Sequence, residues 1–348
     1  MKDTYVITEI NSRDEFERLS EGFDYGFNLP LTQSFWYGDL QEKMGRRVLR
    51  VAISKDGKNL GVAQIILYPF WRKYKYAYAP YGPIIFEKDI LITNELSNFV
   101  KEYFRDENIV CFRFESDTKV TGLNKTPDVF THGGFVQPRY EWEVPLEETD
   151  EDLFSSYHKQ TRKNIRNGER KGVTVKIIEE NLKEHFSVLL KILKDTADRK
   201  EFSLHNGEYY KEMVKILDRE KKGFLALAYS SDGQVLSGSL HAIVGNTAHG
   251  IFGGSINEMR DLCGPFILKF YAMKYARQRG CKSFSIGGII PPGQERKYKS
   301  WTGFTHFKQS FGGRYVVHGE IVDVVYERIP YTIFLFLKRL KSLIFHQK

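Results

Sequence analysis

Two stretches decide the architecture: VLRVAISKDGKNLGVAQII at 48–66 and FLALAYSSDGQVLSGSLHA at 224–242. In each, an apolar, β-rich run leads to an Asp-Gly pair and then to a second such run. Asp-Gly suits the positive-φ positions of a tight turn, so each stretch predicts a β-hairpin. The segments downstream of the two hairpins repeat as well. After Asp56-Gly57 come YAYAPYGPI (76–84), a helical stretch at 91–106 and VCFRFES (110–116). After Asp232-Gly233 come AHGIFGGSI (248–256), a helical stretch at 265–279 and KSFSIGGI (282–289). The order β-β-β-α-β thus occurs twice. A single long repeat is not a solenoid. Hairpins and helices recur by chance in α/β proteins, but four elements agreeing in order and spacing favour duplication. We therefore expect an α/β (α+β) chain with two copies of one domain, at 1–147 and 148–329, meeting near the acidic stretch PLEETDEDL (145–153). A basic amphipathic helix is expected at 330–348.

Composition sets the class. The chain has 348 residues, of which 41% are hydrophobic and 28% charged, enough for real cores and too apolar for disorder. Lys and Arg number 52 against 44 Asp and Glu, giving a formal charge of +8, which permits a polyanionic partner. Three cysteines (Cys111, Cys263, Cys281) without a C-x-x-C pair read as free thiols in a reducing compartment. The opening residues lack the apolar core of a secretory signal, and no run reaches the ~20 apolar residues of a membrane span. The expectation is a cytoplasmic protein.

The repeated skeleton resembles the GNAT-type acyltransferase domain. Such domains hold the phosphates of an acyl donor at a helix N-terminus, where free N–H groups and the helix dipole meet. The corresponding stretch here, Arg260-Asp261-Leu262-Cys263-Gly264-Pro265, has an incomplete glycine pattern for coenzyme A. Other chemistries leave no trace: there is no GxxxxGK[ST] loop, HExxH helix or GxSxG elbow, and the nine histidines lack ligand spacing. No metal and no cofactor is expected.

Three segments can carry function. In YHKQTRKNIRNGERKG (157–172), Lys159, Arg162, Lys163, Arg166 and Arg170 fall on one helix face, with Ile165 turned to the core. A basic stripe suits nucleic-acid phosphates, and a solvated helix face gives the same pattern. In GFTHFKQSFGG (303–313), Lys308 sits among Phe304, Phe307 and Phe311, either snorkelling or held to meet an anion. PYTIFLFLKRLKSLIFHQK (330–348) can lie in an anionic membrane interface or pack as a terminal helix.

Together these pieces resemble the Fem family (FemABX) of peptidoglycan-bridge peptidyltransferases. The pieces are TQSFWYGDLQEKMG (32–45), YAPYGP (78–83), TRKNIRNGERKGV (161–173) and DTADRKEF (195–202) with Tyr209-Tyr210. Further on come FGGSINEMRD (252–261), the stretch ending at Ile289, and GFTHFKQSFGG (303–313). Gly207 and Gly223 leave no room between 173 and 222 for the long helical arm of some members, so the chain looks FemX-like. The resemblance implies two tandem GNAT-like domains and an aminoacyltransferase. The donor would be aminoacyl-tRNA, bound by the 159–170 stripe. The acceptor would be the stem-peptide side-chain amine of a UDP-linked or lipid-linked muropeptide, in cell-wall biogenesis.

Lys308 falls on the family's Phe-Lys motif and is the implied catalytic cation. Glu115 and Glu320 are candidates to orient or deprotonate the amine. Arg199, His205, Gln41, Tyr81 and Phe252 match acceptor-binding positions. Three matches depart from the pattern of UDP-binding members: lysine is usual where Gln41 stands, arginine near His205 and arginine where Tyr81 stands. The alternative is a CoA-dependent N-acyltransferase acting on another amine. A monomer suffices, because two fused domains supply their own cleft, and membrane contact would be peripheral, through 330–348 at the inner face.

Overall fold

The structure is a computed structural model that describes residues 5–21, 29–86, 90–115, 129–132, 136–200 and 204–345, with backbone alone at 21, 90, 131–132, 199–200 and 339–345. The chain forms two compact units: 1–139 with 318–348, and 140–317.

Unit 1 is built on an eight-stranded sheet. Its strands are β1 (Tyr5–Glu9), β2 (Val48–Lys55), β3 (Lys58–Trp71), β4 (Tyr74–Ala79), β5 (Ile84–Ile85), β6 (Ile109–Glu115), β7 (Val129–His132) and, from far along the chain, β15 (Ile321–Val325). The order is β1-β2-β3-β4-β6-β15-β7, with β5 on β3; only β4 and β6 pair in parallel. Asp56 (φ 51°) and Gly57 (φ 77°) form the two-residue turn between β2 and β3 that the sequence predicts. Its helices are α1 (Arg13–Glu21), α2 (Phe35–Lys43), α3 (Ile90–Tyr103) and α10 (Arg328–Phe345). α3 crosses between the parallel strands and buries Ile92, Leu96 and Val100 against Leu49, Ile65, Phe112 and Phe114.

Unit 2 repeats the plan with seven strands: β8 (Tyr140–Pro145), β9 (Thr174–Ile178), β10 (Gly223–Tyr229), β11 (Val235–Val244), β12 (Thr247–Ser255), β13 (Ser283–Gly288) and β14 (Arg314–Val317). The order is β14-β8-β13-β12-β11-β10-β9, and again one pair alone, β12 and β13, is parallel. Its helices are α4 (Asp150–Ser156), α5 (Lys159–Arg170), α6 (Leu182–Lys200), α7 (Gly207–Arg219), α8 (Gly264–Gln278) and α9 (Thr302–Gln309). α8 is the crossover, placing Ile267, Ala272, Met273 and Ala276 on Phe224, Ala226 and Phe284.

Laid side by side, the two sheets match strand for strand. In each, a meander leads through a crossover helix to a parallel strand, and a further antiparallel strand is inserted between that strand and the edge. That inserted strand breaks the chain order. In unit 1 it is β15, which comes after all of unit 2; in unit 2 it is β8, the strand that directly succeeds the first copy. The units therefore divide at 139/140 and 317/318, not at the 147/148 and 329/330 of the sequence reading. A repeat marks which elements recur, but the partner of an inserted strand is fixed by pairing over long separations.

α5 shows why a glycine sits mid-helix. A Cβ at Gly168 would stand 2.1 Å from Ile267 Cδ1 and 2.6 Å from Leu262 O. The residue trades about 1 kcal/mol of helix propensity for close approach to α8.

Candidate active site

In unit 2 the opening between the parallel strands is the point of chemical interest. β12 and β13 pair over three residues only, Thr247–His249 with Ser283–Ser285. Beyond them β12 bulges at Ile251, where His241 faces Gly250 and Leu240 faces Phe252, and β13 shifts register at Ile286. Two neighbouring bulges part the strands and leave backbone polar groups without a ladder partner.

Lys308, on α9, reaches into this opening. Its Nζ donates to Gly288 O at 2.6 Å and lies 4.9 Å from the centroid of Phe304. A Cβ at Gly287 would meet Nζ at 3.7 Å and Gly250 O at 3.9 Å, so the amine lies beside both strands. The side chain is buried. Burial pulls its pKa down to about 7; Glu141 opposes the shift and Lys269 adds to it. Glu141 accepts from Ser285 Oγ (3.2 Å), which in turn accepts from Gly287 N.

Sequence reasoning passed over one neighbour, Lys269, and took another, His241, as structural. Lys269 lies on the buried side of α8, 5.3 Å from the Phe284 ring centroid, and burial lowers its pKa to about 8. Among the described residues no carboxylate stands within ion-pair reach of Lys269 or Lys308. The sequence signal was available, since Lys269 interrupts the apolar run GPFILKFYAM at a core-facing position. His241 is fully buried on β11, stacked on Phe224 and bonded through Nε2 to Ser239 Oγ at 2.6 Å. Burial, aided by Lys269, holds it neutral. Its Nδ1 has no hydrogen-bond partner among the described residues.

His205 and Phe252 come together in the same unit. The His205 ring stacks on Tyr209 at 4.3 Å and stands 6.0 Å from Phe252, with Tyr210 5.0 Å from Phe252. Arg199 is in the last turn of α6, and its side chain lies outside the described residues. The basic stripe runs along α5 as its periodicity predicts. Lys159, Lys163, Arg166 and Arg170 are exposed and Ile165 is buried. Arg162 is half-buried and donates to Ser155 O at 2.9 Å. Arg166 covers the Phe154 ring at 5.0 Å, and Arg170 donates to Asn167 Oδ1 at 2.9 Å. The side chains of Lys159 and Lys163 make no ion pair among the described residues. His158 N donates to Ser310 O at 3.0 Å, joining the start of the stripe to the end of α9.

Unit 1 holds the other candidates. Glu115 ends β6 and is buried. Tyr78 Oη donates to its Oε2 at 2.9 Å and Tyr81 N at 3.3 Å. Burial raises its pKa against the pull of Tyr78 and of the backbone amides of Tyr81, Gln137 and Val136. Tyr81 adopts a left-handed φ of 53°, stacks on the His318 ring at 3.9 Å and donates to Pro138 O at 2.7 Å. Such a conformation costs an ordinary residue about 1–2 kcal/mol, and three separate contacts hold it. Gln41 is buried and accepts from Arg46 Nη1 at 2.7 Å, while Arg46 covers the Tyr68 ring at 4.9 Å. Glu320 is exposed and pairs with Arg139 at 2.8 Å.

The FemAB family model matches residues 128–230 and 217–321, more than half of the chain. The chain belongs to the FemAB family. A lipid II:glycine glycyltransferase of Staphylococcus epidermidis is 21% identical, over 82% of this chain and 85% of its own. The protein of that name from Staphylococcus aureus strain bovine RF122 / ET3-1 is 22% identical over the same shares. The crystal structure of FemX superposes with a TM-score of 0.79 at 18% identity, covering 94% of this chain and 99% of that one. A tandem GNAT protein from the clavulanic acid biosynthesis pathway gives 0.56 at 9% identity, over 92% and 98%. This FemAB chain has the tandem GNAT-like α/β fold and is an aminoacyltransferase.

Proposed function

We propose that this FemAB chain adds an amino acid to the stem-peptide side-chain amine of a lipid-linked peptidoglycan precursor, building the interpeptide bridge, with aminoacyl-tRNA as donor. One observation carries the reading: a FemAB chain holds the Lys308 amine, dry and without a carboxylate partner among the described residues, where β12 and β13 part. The curated relatives, named for glycyl transfer to lipid II, support the acceptor class and make glycine the first amino acid to test.

The chemistry is aminolysis of an ester. The acceptor amine loses a proton and attacks the aminoacyl carbonyl, a C–N bond forms, and the C–O bond to the ribose breaks. The ribose oxygen leaves as a hydroxyl after taking up a proton. Lys308, as ammonium, donates to the oxyanion that develops on the carbonyl. In a water-poor setting one such donor is worth about 10²–10³ in rate. The α5 stripe, tied to α9 within unit 2, gives the donor's phosphates a positive surface. In unit 1, buried Glu115 has a raised pKa that suits a group sharing a proton with an amine. Tyr81 shapes the same part of unit 1.

The test is transfer of radiolabelled amino acids from a charged tRNA pool to UDP-linked and to lipid-linked muropeptides, with acetyl-CoA in parallel. Label on the lipid-linked muropeptide is the expected result. Label on the UDP-linked form alone would overturn the acceptor. Consumption of the thioester with no transfer from tRNA would overturn the donor.

A further inference from the structure

The hairpin that joins β3 to β4 ends in Trp71-Arg72-Lys73-Tyr74. Arg72 has φ 49°, the first central position of a two-residue turn that normally takes glycine. A bulky cation therefore stands where local sterics oppose it, a conflict that points to function. Trp71 and Tyr74 stack at 5.9 Å with rings 12° apart. The Arg72 guanidinium covers Trp71 at 4.9 Å and the Lys73 amine covers Tyr74 at 5.8 Å. Both cations are exposed, and among the described residues neither has a carboxylate in ion-pair reach.

Helix α10 lies against this hairpin. Phe334 meets Phe70 and Tyr76, each at 5.0 Å, and Tyr331 and Phe334 are buried. That inner face would leave an ordinary amphipathic helix polar on the outside. Instead Ile329 and Phe336, seven residues apart and so on one face, are 79% and 61% exposed. The sequence runs on as KRLKSLIF, with three cations ahead of an apolar end. No helix among the described residues is long and apolar enough to cross a membrane.

We infer that the β3–β4 tip and the outer face of α10 form one surface that seats unit 1 on an anionic lipid bilayer. Trp and Tyr prefer the depth of the headgroups, where ring and polar edge are both satisfied. Arg72 and Lys73 answer the negative leaflet, and Ile329 and Phe336 enter the acyl boundary. The tip supplies aromatic and cationic groups and the helix apolar ones, and joint use of two weak elements is how peripheral binding becomes firm. The inference deepens the lipid-linked reading above, yet the two can fail separately. Vesicle binding needs no acceptor, and transfer to a short-chain, water-soluble acceptor needs no vesicle.

The experiment is sedimentation of the full chain with vesicles of phosphatidylcholine alone or mixed with phosphatidylglycerol, beside light scattering without lipid. Wild-type protein binds the anionic vesicles and is released by salt. Arg72→Glu with Lys73→Glu, and separately Ile329→Ser with Phe336→Ser, each lower binding at least tenfold. Both variants keep wild-type transfer to the short-chain acceptor. Arg72→Gly relieves the turn, so it unfolds at a higher temperature than wild type while binding vesicles less. Equal binding to both vesicle types, or no loss in either double variant, overturns the inference. So does a wild-type dimer that Ile329→Ser with Phe336→Ser dissociates, since a second copy would then cover the face.

Discussion

The two units share a sheet order and differ in how they treat buried charge. In unit 1, Arg113 on β6 is fully buried and faces Asp323 on β15 through two bonds, Nε–Oδ1 at 2.7 Å and Nη2–Oδ2 at 2.6 Å. Tyr331 on α10 adds a third, to Oδ2 at 2.7 Å. Every charge is met, and the network ties the inserted strand and the last helix to the first copy's sheet. In unit 2 the inserted strand β8 brings Glu141, whose bond goes to Ser285. Lys269 and Lys308 stay buried without a carboxylate partner among the described residues. At these two places the scaffold holds one matched interior pair, which ties the fold together, and one cationic pair, which burdens it. Unmet charge of this kind is the mark of a site.

That contrast breaks first in unit 1. Asp323→Ala strands the Arg113 guanidinium in a dry interior, and breaking one side of a buried pair costs about 3–5 kcal/mol. Urea unfolding should show a loss of that size. Replacing both partners by apolar residues should return most of it. A loss below about 1 kcal/mol would mean that water reaches Arg113 and that the network does not hold the fold.

The matching change in unit 2 should do the opposite. Lys308→Met removes an amine that burial disfavours, so stability holds or rises while transfer falls about 10²–10³-fold. The sign comes from the lowered pKa. Between about 7 and its ordinary 10.5 the unfolded chain binds the proton that the folded chain has released, so folded protein gains stability as pH rises through that window. The variant lacks this gain, and melting curves at intervals from pH 7 to 10 would read it. Unchanged turnover would take Lys308 out of the chemistry.

Legibility tracked the range of the interactions. Both Asp-Gly turns, the two crossover helices and the two parallel strands stand within three residues of where the sequence puts them, because turn chemistry and periodicity are local. The domain limits were not legible, since nothing near Tyr140 or Ile321 says which sheet those strands enter. Lys308 could be found from its aromatic setting and Glu115 from its place at a strand end. The pairing of Glu320 with Arg139, 2.8 Å apart on the surface, could not. Lys269 escaped notice, and His241 read as structural, because a lone polar residue in an apolar run carries meaning only once its neighbours are known.

Lys308→Arg sharpens the comparison. If the ammonium is the working form, kcat/KM of the wild type falls above an apparent pKa near 7 in the free enzyme. A guanidinium stays charged throughout, so the residual activity of the variant should lack that alkaline limb. Lys269→Met should shift the wild-type limb to higher pH, because it removes the positive neighbour that helps to lower Lys308, while Glu141 stays to hold the proton. A limb that does not move would sever Lys269 from the site.

The smallest effect belongs to the exposed stripe, where water screens each charge. Lys159 and Lys163 are uncommitted, whereas Arg162 donates to Ser155 O and Arg170 to Asn167. Removing one lysine–phosphate pairing should lower the slope of log affinity against log salt by about 0.7–0.9. Lys159→Ala with Lys163→Ala should therefore lower it by up to about 1.4–1.8 for charged tRNA, raise KM for the donor and leave the acceptor's KM alone. Arg162→Ala should show a stability loss first, because its bond to Ser155 O fixes the turn between α4 and α5. If the double lysine variant instead changed acceptor kinetics with the tRNA slope intact, the stripe would serve the diphosphate of the acceptor.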